Sequence, residues 1–477
     1  RLYQAGGALQ MNKSEEDRRL VWRALGGPVL AQADLPEGIP GFARDLPDGV
    51  LRERLEPLLD MRLLMPQVQV DSRLQTLRVL NEDDKTVLRV VLESASYCDP
   101  QRGLAGPLGE RLWLAPVRGY DRALQRVREL LSEDLGLAPA QPDLMLEALS
   151  SVGRIPGAYS SKLTFSLEPE ARADAVAKHI LMHLWETLEA NVEGARADLD
   201  PEFLHDLRVA VRRTRSALSQ IKGVFPQDLV EQFKSLFAWI GQVTGPTRDM
   251  DVYLLAFPGY RERLPQRFRA DLEPLHRFLV AHQRSEQKLL AKKLASPRFH
   301  DIAMEWRAFL EEPVPQEPSA PHAQRPIREL ADERIYKIYK RVLKQGLAIG
   351  PDSPPEQMHE LRKSCKKLRY LMEFFDSLYP RKRIRPLIKV LKVLLDNLGD
   401  FQDLQVQAEK LRQLAHRMQE EGQVPSDTLL AMGMLVDGLL RRQAQAGLEF
   451  SERFTQFAEA ENRRAFKSLF ARGNAWE

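Results

Sequence analysis

From Pro169 to the end of the chain, apolar residues recur at three- and four-residue spacing, which predicts helices packed face to face. The earlier stretch is mixed. Apolar and polar residues alternate in short runs over residues 63–70, 73–80 and 86–92. The polar run Asn81-Glu82-Asp83-Asp84-Lys85 separates the last two, so they predict an antiparallel hairpin. Residues 14–25 predict a helix, the following Pro- and Gly-rich stretch to Gly49 a loop, residues 120–135 a helix, and residues 160–167 a closing strand. The first ten residues, which precede the first methionine (Met11), enter no predicted element.

The helical region is interrupted at residues 311–326, where five prolines predict an extended, mobile connector. Before it the spacing predicts helices at 170–195, 201–222, 227–258 (broken around Gly245-Pro246) and 264–311. After it come 327–347, 354–378, 383–414 and 426–470. Asp200-Pro201 sets a capping acid before a proline at the first helical position, and Ser353-Pro354-Pro355-Glu356 matches a capping box. The predicted fold class is α+β multidomain and mainly all-α. A smaller antiparallel β-rich domain (1–168) precedes two four-helix bundles (169–311 and 327–477) joined by a Pro-rich linker (312–326).

The two helical stretches are copies of one unit. His205-Asp206-Leu207-Arg208-Val209-Ala210-Val211-Arg212-Arg213-Thr214-Arg215 returns as His359-Glu360-Leu361-Arg362-Lys363-Ser364-Cys365-Lys366-Lys367-Leu368-Arg369, 154 residues later. The same offset carries Arg248-Asp249-Met250-Asp251-Val252 onto Gln402-Asp403-Leu404-Gln405-Val406, and Gly245 onto Gly399. Two motifs and a glycine at one constant offset imply duplication.

On a helical wheel at about 100° per residue, His205, Arg208, Arg212 and Arg215 form one stripe beside the apolar stripe of Leu204, Leu207, Val211 and Leu218, while Arg213 lies elsewhere. His359, Arg362, Lys366 and Arg369 repeat the stripe, with Lys363 and Lys367 off it. Further cations fall on neighbouring helices: Lys178, His179 and His183 in the first copy; Lys337, Lys340, Arg341, Lys344, Lys389 and Lys392 in the second. Cations that border a core repel one another and lose hydration, and a bound polyanion relieves both costs. The alternative is a set of solvated or salt-bridged helix faces, against which position-matched retention in both copies argues. Arg248, Asp249, Asp251 and Asp403 read either as anchors that orient the arginines through carboxylate pairs or as helix caps. No second acidic cluster accompanies Asp249 and Asp251, so no metal site is predicted.

The formal net charge of +3 identifies no partner, and two cysteines, Cys98 and Cys365, exclude a disulfide scaffold. No apolar run is long enough to span a membrane and no signal segment is seen, so a cytoplasmic protein is expected.

The HxxRxxxRRxR stretch with its downstream RDxDV, followed by the HxLRxxxKKLRY copy, resembles the CHAD domain over residues 170–475. The resemblance implies two four-helix bundles related by pseudo-twofold symmetry around a basic channel, inorganic polyphosphate as partner, and association with polyphosphate granules in bacteria. It carries over as ligand contacts His205, Arg208, Arg212, Arg213 and Arg215, with His359, Arg362, Lys363, Lys366, Lys367 and Arg369. Gln402 departs from the pattern set by Arg248. Residues 50–168 resemble a degenerate CYTH domain, a β-tunnel fold acting on triphosphates with metal ions. The ExExK signature that holds the metal is missing from residues 1–60, so no catalytic residue, metal or cofactor is expected. Lys85, Arg78 and Arg89 read as tunnel lining or as the outer face of a sheet. A metal-dependent triphosphatase or polyphosphatase remains the alternative function. Nucleic-acid binding is disfavoured, because no aromatic stacking residues interleave with the arginines.

Overall fold

The computed structural model describes residues 2–14, 17–35, 37–141, 143–350, 352–422 and 424–471. The chain folds as two compact units, residues 1–160 and 161–477.

In the first unit, β1 (Gly7–Lys13), β2 (Arg18–Ala24) and β3 (Val29–Asp34) form an antiparallel sheet, with Met11 opposite Leu20 and Leu9 opposite Trp22. This corrects the helix expected at 14–25 and the loop expected after it, and gives the first ten residues a strand. The run Leu20-Val21-Trp22 fits either period, and pairing on both edges decides for the strand. α1 (Val50–Leu59) covers this sheet, and Leu20, Trp22, Leu51, Leu55 and Leu59 form its core.

The predicted hairpin is present as β4 (Gln69–Leu80) and β5 (Thr86–Cys98), with Leu80 facing Thr86. Asn81 shapes its turn, its Oδ1 accepting from the amides of Asp83 and Lys85. β6 (Ala105–Pro107) and β7 (Arg111–Pro116) complete this sheet along β5. α2 (Asp121–Glu129) and α3 (Leu144–Ser151) follow. Among the described residues the strands make two separate open sheets, not the single closed tunnel that the N-terminal resemblance implies. Arg78 and Arg89 are cross-strand partners on an exposed face, and Lys85 is exposed in the turn.

The second unit is helical. Its order is α4 (Ala173–Arg196), α5 (Pro201–Gln220), α6 (Gln227–Val243), α7 (Gly245–Arg263), α8 (Glu273–Leu294), α9 (Pro297–Glu311), α10 (Ile327–Leu347), α11 (Pro355–Phe374), α12 (Arg381–Glu420), α13 (Ser426–Phe457) and α14 (Ala460–Phe470). The offset of 154 carries α5 onto α11 end for end, and the start of α6 onto the start of α12. Where the first copy breaks at Thr244-Gly245-Pro246, α12 runs on unbroken past Gly399. Proline removes one backbone donor and favours a new first turn, which Gly399-Asp400 does not.

Asp200 caps α5 as expected, its Oδ1 accepting from the amides of Glu202 and Phe203 at 2.8 and 3.2 Å. Ser353 does not cap α11: its hydroxyl accepts from the Gly350 amide, and Pro354 occupies the cap position. The two copies share one core that runs from Val176 and Leu207 to Leu361, Leu391 and Phe466. A smaller core joins α7 and α8 to α12 and α13 through Tyr253, Phe257, Leu279, Leu411 and Leu435.

Residues 160–167 form no strand. Leu163, Phe165 and Leu167 pack on the helical core. The connector at 312–326 is tied down rather than mobile. Ala323 is fully buried, the Ala173 amide donates to the Arg325 carbonyl, and the His322 amide donates to the Gly223 carbonyl.

Candidate functional site

α5 and α11 pack against each other, which brings the two basic stripes together. Glu373 joins the copies: Arg369 Nε donates to it at 2.6 Å, and Arg213 from the first copy lies 3.6 Å away. Arg213 also donates to the Ser161 carbonyl at 2.7 Å, so this off-stripe arginine is held in structural contacts.

The matched arginines Arg208 and Arg362 occupy equivalent places with different partners. Each guanidinium lies against a bare stretch of helix, at Gly245 and Gly399 respectively. Arg208 donates to the Gly241 carbonyl and to Thr244 Oγ1, both at 2.9 Å. The Gly241 carbonyl is open because α6 ends there and its last carbonyls lack helical donors, and Thr244 adds a hydroxyl where the second copy has Leu398. α12 is unbroken and offers none, so Arg362 turns to the Asp403 carboxylate, at 3.0 and 3.2 Å. Asp403 thus forms a carboxylate pair with Arg362. Asp249 makes no such pair with Arg208, and both Asp249 and Asp251 lie inside α7 rather than at its cap.

Each histidine touches the residue 43 positions on. Arg248 Nη2 donates to His205 Nδ1 at 3.1 Å, which requires the neutral ring. His359 Nδ1 donates to Gln402 Oε1 at 2.9 Å, an arrangement that the protonated ring also satisfies. Arg248 further donates to the Pro201 carbonyl at 3.0 Å. Burial, opposed by Arg248, pushes the carboxyl of buried Asp251 up to about 6. At the matching positions the second copy has Gln402 and Gln405, so a charged couple is exchanged for a neutral one as a unit.

The groove cations are crowded. Burial, then Arg362 and Arg212, push the Lys366 ammonium down to about 8. The contribution of Arg212 shows the two stripes acting on each other across the copies. Burial and Arg212 also disfavour the charge of Arg208, and burial and Arg248 disfavour that of His205. Arg362 Nε is buried with no acceptor. Arg212 and Arg215 are exposed.

A cavity of about 330 Å³ opens beside the second stripe. Arg362, Lys366 and Arg369 form one wall, and Asp396, Asp400 and Asp403 on α12 form the other. The residues matching Asp396 and Asp400 in the first copy are Gln242 and Pro246, so the second half of the site is partly self-neutralised. The spacing of Asp396, Asp400 and Asp403 on one helix face was readable in the sequence, whereas Glu373 and the carbonyl of Gly241 gave no signal there. Asp403→Asn releases Arg362 from an exposed carboxylate, and such pairs contribute up to about 1 kcal/mol. A two- to five-fold gain in polyanion affinity is expected on titration, and an unchanged or weakened affinity would count against Asp403 as a competitor.

Other predicted residues lie apart. Lys178 is buried, donates to the carbonyls of Phe309 and Glu312, and sits over the Phe309 ring at 4.6 Å, so it closes the C-terminal end of α9 rather than adding to the basic surface. His179 is exposed beside Phe165. Lys337, Arg341 and Lys344 line α10, and Lys389 and Lys392 are exposed on α12. Among the described residues, no three His, Cys, Asp or Glu side chains gather as a metal site, and no helix is long and apolar enough to cross a membrane.

The CHAD domain from the plant Ricinus communis superposes with a TM-score of 0.53 at 24% identity, covering 63% of this chain and 97% of that one. PptA from Streptomyces chartreusis gives 0.47 at 19% identity, over 60% and 99%. No curated protein matches the chain. Residues 179–412, which hold α5, α11 and both basic stripes, match the CHAD domain family, and this stretch of the chain is a CHAD domain.

Proposed function

We propose that the groove between α11 and α12, with the adjoining basic stripe of α5, binds inorganic polyphosphate, without hydrolysing it, in the manner implied by the CHAD resemblance. The observation that carries this is the convergence of Arg208, Arg212, Arg362, Lys366 and Arg369 from two copies, with Lys366 held at about 8 by burial and by cations of both. Phosphate oxygens restore what burial and crowding take from Arg208 and Lys366: each arginine offers a planar fork and Lys366 a point charge. The donors already fixed to protein acceptors, Arg208 and Arg362, are pre-oriented, while exposed Arg212 and Arg215 are free to follow the chain. Polyphosphate granules are where such a protein would concentrate.

The test is a titration with long-chain polyphosphate at several salt concentrations, with RNA as competitor. Counterion release predicts a log–log slope that steepens by about one for each phosphate contact. Steep, RNA-resistant binding supports the reading. Displacement by RNA at equal concentration would reassign the groove to nucleic acid, and release of phosphate from tripolyphosphate with magnesium or manganese would reassign the protein to the hydrolases.

A further inference from the structure

Lys363 and Lys367 do not share the groove. On α11 they lie about 90° and 130° around the helix from the centre of the Arg362–Lys366–Arg369 stripe. Lys367 instead faces α10: burial, then Arg341, Lys363 and Lys222, oppose its charge, with Glu360 in partial support. α10 packs on α11, and Arg334 on α10 donates to the Lys222 carbonyl at 3.3 Å, which sets Lys222 in the same neighbourhood.

Lys337, Arg341 and Lys344 follow Arg334 at spacings of three, four and three, so they share one face of α10. The three are exposed, and the segment 337–347 contains no acidic residue. The face from Arg334 to Lys344 is about 15 Å long. Glu360, which pairs with Lys363 at 2.6 Å, is the acidic neighbour of Lys367. Duplication does not account for this surface. The positions matching Lys337, Arg341, Lys344 and Lys363 in the first copy are His183, Thr187, Ala190 and Val209, and the one matching Lys367 is Arg213, already held by Ser161 and Glu373.

We propose that Lys337, Arg341, Lys344, Lys363, Lys367 and Lys222 form a second polyphosphate track, outside the groove, that takes the continuation of a chain whose other part occupies the groove. The inference rests on the polyphosphate reading of the groove. The track is wide, solvated and lysine-rich, which suits a chain held by charge rather than by fixed geometry. It makes the second copy the side on which long chains gain affinity over short ones.

The experiment compares tripolyphosphate with long-chain polyphosphate on the full chain, for wild type, Arg341→Glu with Lys367→Glu, and Lys292→Glu with Lys293→Glu as a control of equal charge change on α8. The expected result is a salt slope for the long chain lowered by about two in the track variant, with its affinity down about tenfold. Tripolyphosphate affinity stays unchanged, and the control behaves as wild type. Equal losses for both ligands, equal losses in the control, or no loss at all overturn the track while leaving the groove reading in place. Failure of wild type to bind the long chain sinks the groove reading instead.

Discussion

Arg208→Glu combined with Arg362→Glu is expected to weaken polyphosphate binding by at least about a thousandfold. Each arginine is half-buried and held in one orientation, and losing a charge-assisted contact of that kind costs about 2–3 kcal/mol, roughly 30- to 150-fold per site. Reversal adds repulsion from the carboxylate left behind. The salt slope should fall by two or more. Both arginines also serve the fold, Arg208 by satisfying Gly241 and Thr244 and Arg362 by pairing with Asp403. Arg212→Glu therefore belongs beside the double variant. Arg212 is exposed, so its reversal should leave the melting temperature within a degree or two and still reduce affinity about tenfold or more. A double variant that melts like wild type and still binds tightly would show the matched arginines to be helix-face braces only.

The helical half of the molecule could be read from sequence because duplication tests every assignment twice. α5 and α11 agree with their predicted spans closely, and the break at Gly245-Pro246 falls where proline requires it. The N-terminal unit has no second copy and shorter periodic runs. Leu20-Val21-Trp22 fits a helix face as well as a doubly paired strand, and the alternation in residues 160–167 sets Leu163, Phe165 and Leu167 on the helical core instead of in a sheet. Proline count misread the connector, whose backbone bonds to α4 and to Gly223 are set by tertiary contact and leave no mark on composition. Within the site, the wheel set Lys363 and Lys367 off the stripe, and Lys367 lies on the flank that α10 packs against. Partner choice was the least legible part. Whether an arginine takes a helix-end carbonyl or an aspartate depends on whether the facing helix is broken, and that is visible only when both helices are in place.

Lys366→Met should raise stability and lower affinity together. The ammonium sits among Arg362, Arg212 and Arg369, with Asp403 in partial support, and its descent to about 8 means that folding works against its charge. Taken whole, a shift of that size converts to about 3 kcal/mol, but the group keeps part of its solvent contact, so about 1 kcal/mol is the expected gain. Methionine keeps the unbranched stem and removes the charge. The pH dependence gives a sharper signature. A base whose folded pKa is depressed destabilises the fold fully below about 8, and the penalty disappears as pH rises toward the unfolded value near 10.5. Wild type should therefore gain stability between about pH 8 and 10, and the variant should show less of that gain, retaining the part due to Lys178 and Lys367, which burial also shifts down. Binding runs the other way. An anion favours the protonated lysine, so wild type takes up protons on binding polyphosphate and loses affinity as pH rises through 8, whereas Lys366→Met starts weaker and falls less. His205 does not blur this window, since burial and Arg248 hold it below its ordinary value. Opposite slopes of stability and affinity over the same pH range, both flattened by one substitution, are the behaviour of a cation kept in an unfavourable place for its ligand. Parallel slopes, or a variant with unchanged affinity, would mean that Lys366 is no part of the site.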